Sequence, residues 1–303
     1  MEAQKNQYLN LIKFLACIFI TNSHCIYNNP FLKLGGGWGN AIFFATTGYL
    51  LGGANIEFWK WIRKRWKRVV PLTAIMTMLS VWTYGLSGYS VFEHVTRFWF
   101  VVALVIYYVP FYWADKTRYG YQVAITIHII GYILLYLIED KSLFFVEKGG
   151  FSYFKVYFYI LIMLLGGCIK KYRDNDRYPD AKISILFAGL GLMIWFIEYF
   201  LIKVLNICLE FQFLIHIGIT LFGISVLMCA LSLSSSFPRW QNPRVIEIIA
   251  ESTLEVYLLQ IVLLPLINNL TYPITLVAFW VVALVGGSCL HLTRNYVLKR
   301  MMR

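Results

Sequence analysis

The chain has 303 residues, of which 59% are hydrophobic, 18% aromatic and only 14% charged. Soluble domains carry nearer a quarter charged residues, so a water-soluble globule is excluded, because too little polar surface remains to cover so large an apolar core. The net charge of +12 does not indicate a nucleic-acid binder: the basic residues belong to no soluble module and fall between apolar runs, where membrane topology accounts for them.

Runs of roughly 20 apolar residues recur from end to end, each long enough to cross a hydrocarbon layer of about 30 Å. Backbone groups in lipid must be satisfied within a helix or a closed barrel, and these runs lack the two-residue alternation of barrel strands. The expected fold class is therefore an all-α polytopic integral membrane protein of about ten transmembrane helices. In chain order the spans are read at 8–27, 39–58, 69–86, 98–113, 121–138, 153–169, 183–205, 211–231, 246–267 and 273–291. Lys5 ahead of an apolar stretch resembles a signal peptide, but no A-x-A cleavage site follows, and the stretch is kept as the first span. Connections are short and no internal repeat is visible, so residues 1–303 read as a single membrane-embedded domain. Cys17, Cys25, Cys168, Cys208, Cys229 and Cys289 show no C-x-x-C spacing and read as small core residues, with neither disulfides nor a metal site expected.

With a cytoplasmic N-terminus, the inner loops hold residues 60–68, Lys116, Arg118, the segment 170–182, Arg239, Arg244 and the tail 294–303. That puts about 20 Lys and Arg inside and about 6 outside, the latter being Lys33, Arg97, Lys141, Lys148, Lys155 and Lys203. Both termini are then cytoplasmic.

Ionisable groups within spans are costly and mark candidate sites; here they are Lys13, His24, His128, Glu198, His216, Glu255 and His291. Lys13 and His24 lie on nearly the same face of the first span, roughly 16 Å apart at 1.5 Å per residue. They could line one internal path, or be a snorkelling lysine and a hydrogen-bonded structural histidine. Glu198 falls at a depth similar to His24, where it could orient an imidazole or contact sugar hydroxyls, or simply be buried and hydrogen-bonded. The segment Trp59-Lys60-Trp61-Ile62-Arg63-Lys64-Arg65-Trp66-Lys67-Arg68 has two readings. One is an interfacial helix on anionic lipid headgroups. The other is a phosphate site, in which Arg65 and Arg68, three apart on one helix face, use their bidentate forks.

His24, then Phe43-Phe44-Ala45-Thr46-Thr47-Gly48, then Arg65-Trp66-Lys67-Arg68 ahead of Pro71, then Trp99-Phe100 leading to Tyr107 and Pro110, and finally Ser252-Thr253-Leu254-Glu255-Val256-Tyr257-Leu258-Leu259-Gln260 follow one another along the chain. That order resembles the acyltransferase-3 family. The family's first-span Leu-Asp and Arg stand here as Leu9-Asn10 and Lys13, its Ser-Gly as Thr47-Gly48, and its late His as Gln260. Lys13 keeps the charge without the planar fork, and Gln260 cannot titrate.

The resemblance implies transfer of an acyl group, usually acetyl, from cytoplasmic acyl-CoA to a hydroxyl of a cell-envelope saccharide or lipid-linked glycan. Acetyl-CoA would be a substrate bound by Arg65, Arg68 and Lys13, with no metal required. His24 would serve as general base or transient acyl carrier. Around the acceptor or lining the pocket stand Asn22, Ser23, Thr47, Gly48, Trp99, Tyr257 and Gln260, together with Glu255 from the list of span charges; Gly48 and Tyr257 also have simple packing readings. A stand-alone protein of a bacterial cytoplasmic membrane, without an SGNH domain and surrounded by membrane lipids, is expected. The rival classes are a transporter or flippase for an envelope precursor, which would show repeated halves with discontinuous helices, and a non-catalytic membrane partner.

Overall fold

The computed structural model describes residues 2–25, 34–85, 91–147, 151–172, 179–237, 239–267 and 270–301, and among them there are helices and turns but no strand. The span ends at 27 and 86, Lys33, Lys148, and residues 173–178 of the basic 170–182 segment lie outside the described residues.

Helix α1 (Glu2–His24) is unbroken from its polar start to the end of its apolar run. Helix α2 (Gly36–Leu51) follows Gly35 and stops at Gly52; Gly53, at φ 76°, takes a left-handed turn open to glycine at little cost. The expected span at 39–58 therefore ends early. Its remainder joins the basic segment in α3 (Phe58–Tyr84), so residues 59–68 and the span expected at 69–86 form one helix with Pro71 inside it.

Next come a short α4 (Val91–Arg97), α5 (Trp99–Lys116), α6 (Gly120–Ile138), α7 (Tyr153–Lys171), α8 (Ala181–Lys203) and α9 (Phe213–Ser236). From α5 to α9 the helices lie within a few residues of expectation; α4 was not foreseen. The stretch expected at 246–267 is broken at Ser252 into α10 (Arg244–Glu251) and α11 (Thr253–Ile267). The physical reason is the charge on α10: Glu247 receives a hydrogen bond from Gln7 Nε2 at 2.9 Å and pairs with Arg244 at 3.6 Å, which keeps this turn beside the polar start of α1. Ser252 turns the chain with its hydroxyl on the Ile249 carbonyl. Finally α12 (Ile274–Val281) passes through a π turn, Val282–Gly286, into α13 (Gly287–Met301).

Among the described residues five helical stretches are long and apolar enough to cross a membrane: Gly120–Ile138, Tyr153–Lys171, Ala181–Lys203, Leu209–Ser236 and Ile274–Val297. Helices α6 and α8 turn large apolar side chains outward, among them Ile127, Leu134, Leu137, Leu186 and Ile197. Surfaces of that kind are far more apolar than a soluble protein tolerates, and lipid is their natural solvent.

Helix α2 is the centre, packed on α1, α7 and α9 and mostly buried. It approaches α7 so closely that a Cβ on Gly48 would stand inside the Met163 carbonyl, and one on Gly166 inside the Ala45 carbonyl. Small residues at such crossings let membrane helices gain van der Waals contact where no hydrophobic force draws them together.

The two ends of the bundle are separate polar layers. At one, Lys116 Nζ donates to the Ala54 carbonyl at 2.6 Å and Lys171 Nζ to the Asp115 carbonyl at 2.7 Å. At the other, Gln212 Nε2 donates to the Leu143 carbonyl at 2.8 Å and Tyr136 to the Glu210 carbonyl at 2.8 Å.

Gly48→Ala should lower the melting temperature in detergent, with a loss of about 1–3 kcal/mol from overpacking. Gly189→Ala, on the outward face of α8 with nothing within 4 Å, should be neutral or slightly stabilising, since alanine is the better helix former. Equal melting temperatures for both variants would show that the α2–α7 crossing is looser than described.

Candidate active site

The basic start of α3 presents two unlike faces. Trp61 and Ile62 are buried, and Trp61 packs on Tyr108 and Tyr112 of α5 with ring centroids 5.7 and 5.4 Å away. Arg65 lies over Trp61, its guanidinium carbon 5.5 Å from the ring centroid. The opposite face carries exposed Trp59 with Lys60, Arg63, Lys64 and Lys67 around a shallow surface depression. The two sequence readings thus separate by helix face: one suits lipid headgroups, and the other carries half-buried Arg65 and exposed Arg68, which line the spaces described next.

Lys13 of α1 meets those arginines. Together Lys13, Arg65, Arg68, Thr47, Tyr108 and Leu254 line a narrow cleft of about 160 Å³. Beside it, a cavity of about 710 Å³ is walled by Lys13, Lys67, Arg68, Glu251, His291 and Arg294, so Lys13, Arg68 and Glu251 belong to both. Glu255, fully buried, lies behind the larger cavity. It pairs with Arg294 and receives the His291 Nδ1–H at 3.1 Å. His291 Nε2 also lies 2.9 Å from Asn295 Nδ2. Glu255 and Thr47 therefore belong to this basic end of the bundle rather than to the surroundings of His24.

His24 closes α1 at the opposite end. Its ring meets Tyr257 edge-on at 6.2 Å, Tyr257 meets Phe100 at 4.9 Å, and Trp99 follows Phe100 along the same aromatic wall. Lys155 Nζ sits 4.1 Å from the centre of the Trp99 ring, and its charge acts on the His24 ring. The remaining neighbours fix the helix end: Asn22 Nδ2 donates to the Leu34 carbonyl at 2.8 Å and Ser23 Oγ to the Ile20 carbonyl at 2.7 Å. Gln260 donates to the Thr21 hydroxyl, tying α11 to α1 one turn before His24.

The other expected residues separate from these groups. Glu198 is buried on α8, where its charge acts on Tyr136, and no described contact joins it to His24. Gly48 serves the α2–α7 crossing. His128 stacks on Tyr157 with 4.9 Å between centroids and bonds the Ala124 carbonyl, a structural arrangement.

From the sequence, Lys155 has only a topological place and His216 stands only among the ionisable residues within spans. The structure joins His216 to Glu147: Glu147 Oε1 accepts from Tyr159 at 3.0 Å and contacts His216 Nε2 at 3.3 Å, while His216 Nδ1 meets the Tyr132 hydroxyl at 2.9 Å. The one sequence signal was a histidine within an apolar span. Among the described residues no group of three His, Cys, Asp or Glu is placed to hold a metal ion.

A family model described as an acyltransferase domain matches residues 6–290. The chain belongs to the acyltransferase-3 family. No curated protein and no solved structure matches it. For an acyltransferase-3 protein, an integral membrane enzyme of acyl transfer, the arrangement has chemical sense. A cationic cavity midway along α1 and an imidazole at its C-terminal end are groups able to bind an anion and to move a proton.

Proposed function

We propose that this protein transfers an acetyl group from cytoplasmic acetyl-CoA to a hydroxyl of a cell-envelope saccharide, free or lipid-linked, as a single membrane domain of a bacterial cytoplasmic membrane. It has ten spans and both termini in the cytoplasm. The observation that carries the reading is the continuity of α1: Lys13 lines the cationic cavity with Arg65 and Arg68, and His24 stands on the same helix roughly 16 Å away. The anionic nucleotide of the donor stays with the cations while its long pantetheine arm carries the thioester toward His24.

There the acceptor hydroxyl gives its proton to the imidazole as its oxygen bonds the acyl carbon. The carbon–sulfur bond then breaks, and the proton passes to the sulfur, releasing CoA as the free thiol. Lys155 supplies positive charge near the developing oxyanion, an effect that is strong where water is excluded. The excess of Lys and Arg in the loops at the Lys116–Lys171 end supports its cytoplasmic side.

Sidedness is tested first. An impermeant thiol reagent should label Lys141→Cys in intact cells and Lys64→Cys only after permeabilisation. The reverse pattern would put the cationic cavity on the side without CoA and end the proposal.

Catalysis is tested with His24→Ala, which should reduce acceptor-dependent release of CoA by about 10²- to 10⁴-fold at unchanged expression. Turnover at the wild-type rate would make His24 a structural residue. A protein that moved the acceptor across the membrane but released no CoA would be a transporter.

The donor site is tested with Arg65→Ala and Arg68→Ala. Each should raise KM for acetyl-CoA by roughly 10- to 150-fold, the worth of a charge-assisted hydrogen bond, with partial rescue by lysine. Arg63→Ala, on the outward face, should leave KM unchanged. An equal rise for Arg63→Ala would mean that the segment acts through bulk charge.

A further inference from the structure

We propose that Arg294, on α13, recognises the ribose 3′-phosphate of the donor, so that the cavity discriminates CoA from thioesters lacking that group. The inference rests on the acetyl-CoA reading above and assigns a residue and a chemical group that the reading leaves open.

The two spaces adjoin in a definite order. The narrow cleft, about 160 Å³, runs from Lys13, Arg65 and Arg68 to the apolar side chains of Phe43, Leu104 and Leu254. It is too small for a nucleoside and suits a thin pantetheine arm. The neighbouring space, about 710 Å³, holds a nucleoside with room to spare. Lys13 and Arg68 line both, so they stand at the junction. In CoA the order along the molecule is pantetheine, pyrophosphate, then adenosine with its 3′-phosphate. With the arm in the cleft and the pyrophosphate at the junction, the 3′-phosphate enters the large cavity, where two further cations remain, Lys67 and Arg294.

Of these, Lys67 is exposed and also borders the outward surface depression. Arg294 is held: its guanidinium pairs with buried Glu255, which His291 orients through its Nδ1–H at 3.1 Å. Its side chain is 18% exposed and lines the larger cavity, with Nη2 3.5 Å from His291 Nδ1. A guanidinium anchored on one side by a carboxylate is held at the cavity wall at less entropic cost than a free lysine. Glu255 and His291 are positioning residues here, which accounts for an ionisable pair inside the bundle.

The test compares acetyl-CoA with acetyl-3′-dephospho-CoA as ligands of the purified protein in nanodiscs, by calorimetry. Wild type should bind the dephospho form about ten-fold or more weaker, the loss of a charge-assisted contact. Arg294→Gln should bind both forms alike, at the dephospho level. Arg68→Ala should weaken both by the same factor and keep the ratio. Arg294→Lys retains a counter-charge for Glu255 and should show a reduced ratio, and it carries the test should Arg294→Gln fail to fold.

Equal affinities in wild type would overturn the inference, as would an undiminished ratio in the Arg294 variants. Failure of wild type to bind acetyl-CoA at all would instead remove the donor reading beneath it.

Discussion

Everything in this protein is arranged along α1, a helix without interruption. Its middle is largely apolar, and α2, α9, α10 and α11 pack along it. An unbroken helix is a ruler: Lys13 and His24, eleven residues apart, are held roughly 16 Å from each other whatever the rest of the bundle does. Cations and imidazole are therefore kept in different layers, and the narrow cleft lined by Lys13, Thr47 and Leu254 belongs to the cationic one.

Keeping a ruler in place needs rigid neighbours. Helix α2 supplies one side through backbone-to-backbone contact with α7 at Gly48 and Gly166, and α11 supplies the other through Gln260 on Thr21. At Gln260 the family resemblance leads to an expectation of histidine, and the amide explains how its absence is accommodated. A neutral donor can hold a buried hydroxyl without the desolvation cost of a group that must titrate. Beside it, His24 is the imidazole against the aromatic wall formed by Tyr257, Phe100 and Trp99.

How much of this was legible beforehand depended on whether local spacing decides the outcome. Most helices were, because 20-residue apolar runs admit no other structure in lipid, and so was the shared face of Arg65 and Arg68, three residues apart. The break at Ser252 was not, since it depends on Glu247 meeting Gln7 across more than two hundred residues. Nor was the destination of Glu255, whose partners His291 and Arg294 come from another helix. The pairing of Glu147 with His216 joins a loop to a span, and no periodicity connects them. For Glu198 the sequence gives a depth but not an orientation: similar depth does not fix which way a helix is turned, and α8 packs chiefly on α9.

The contrast between Glu255 and Glu147 gives the distribution of charge a logic. A buried carboxylate is tolerated only with a cation or several donors beside it, and each has found a different solution. Glu255 is neutralised by an arginine at the cationic end, where it moderates repulsion among Lys13, Arg68 and Arg294 while the cavity stays positive. Glu147 takes a tyrosine hydroxyl and a histidine nitrogen and exerts its field on Lys155. Glu255 thereby holds Arg294 at the wall of the cavity, while Glu147 belongs with Tyr159 and His216 at the opposite end of the bundle, so neither carboxylate is a lone charge among apolar helices, the arrangement that lipid penalises most.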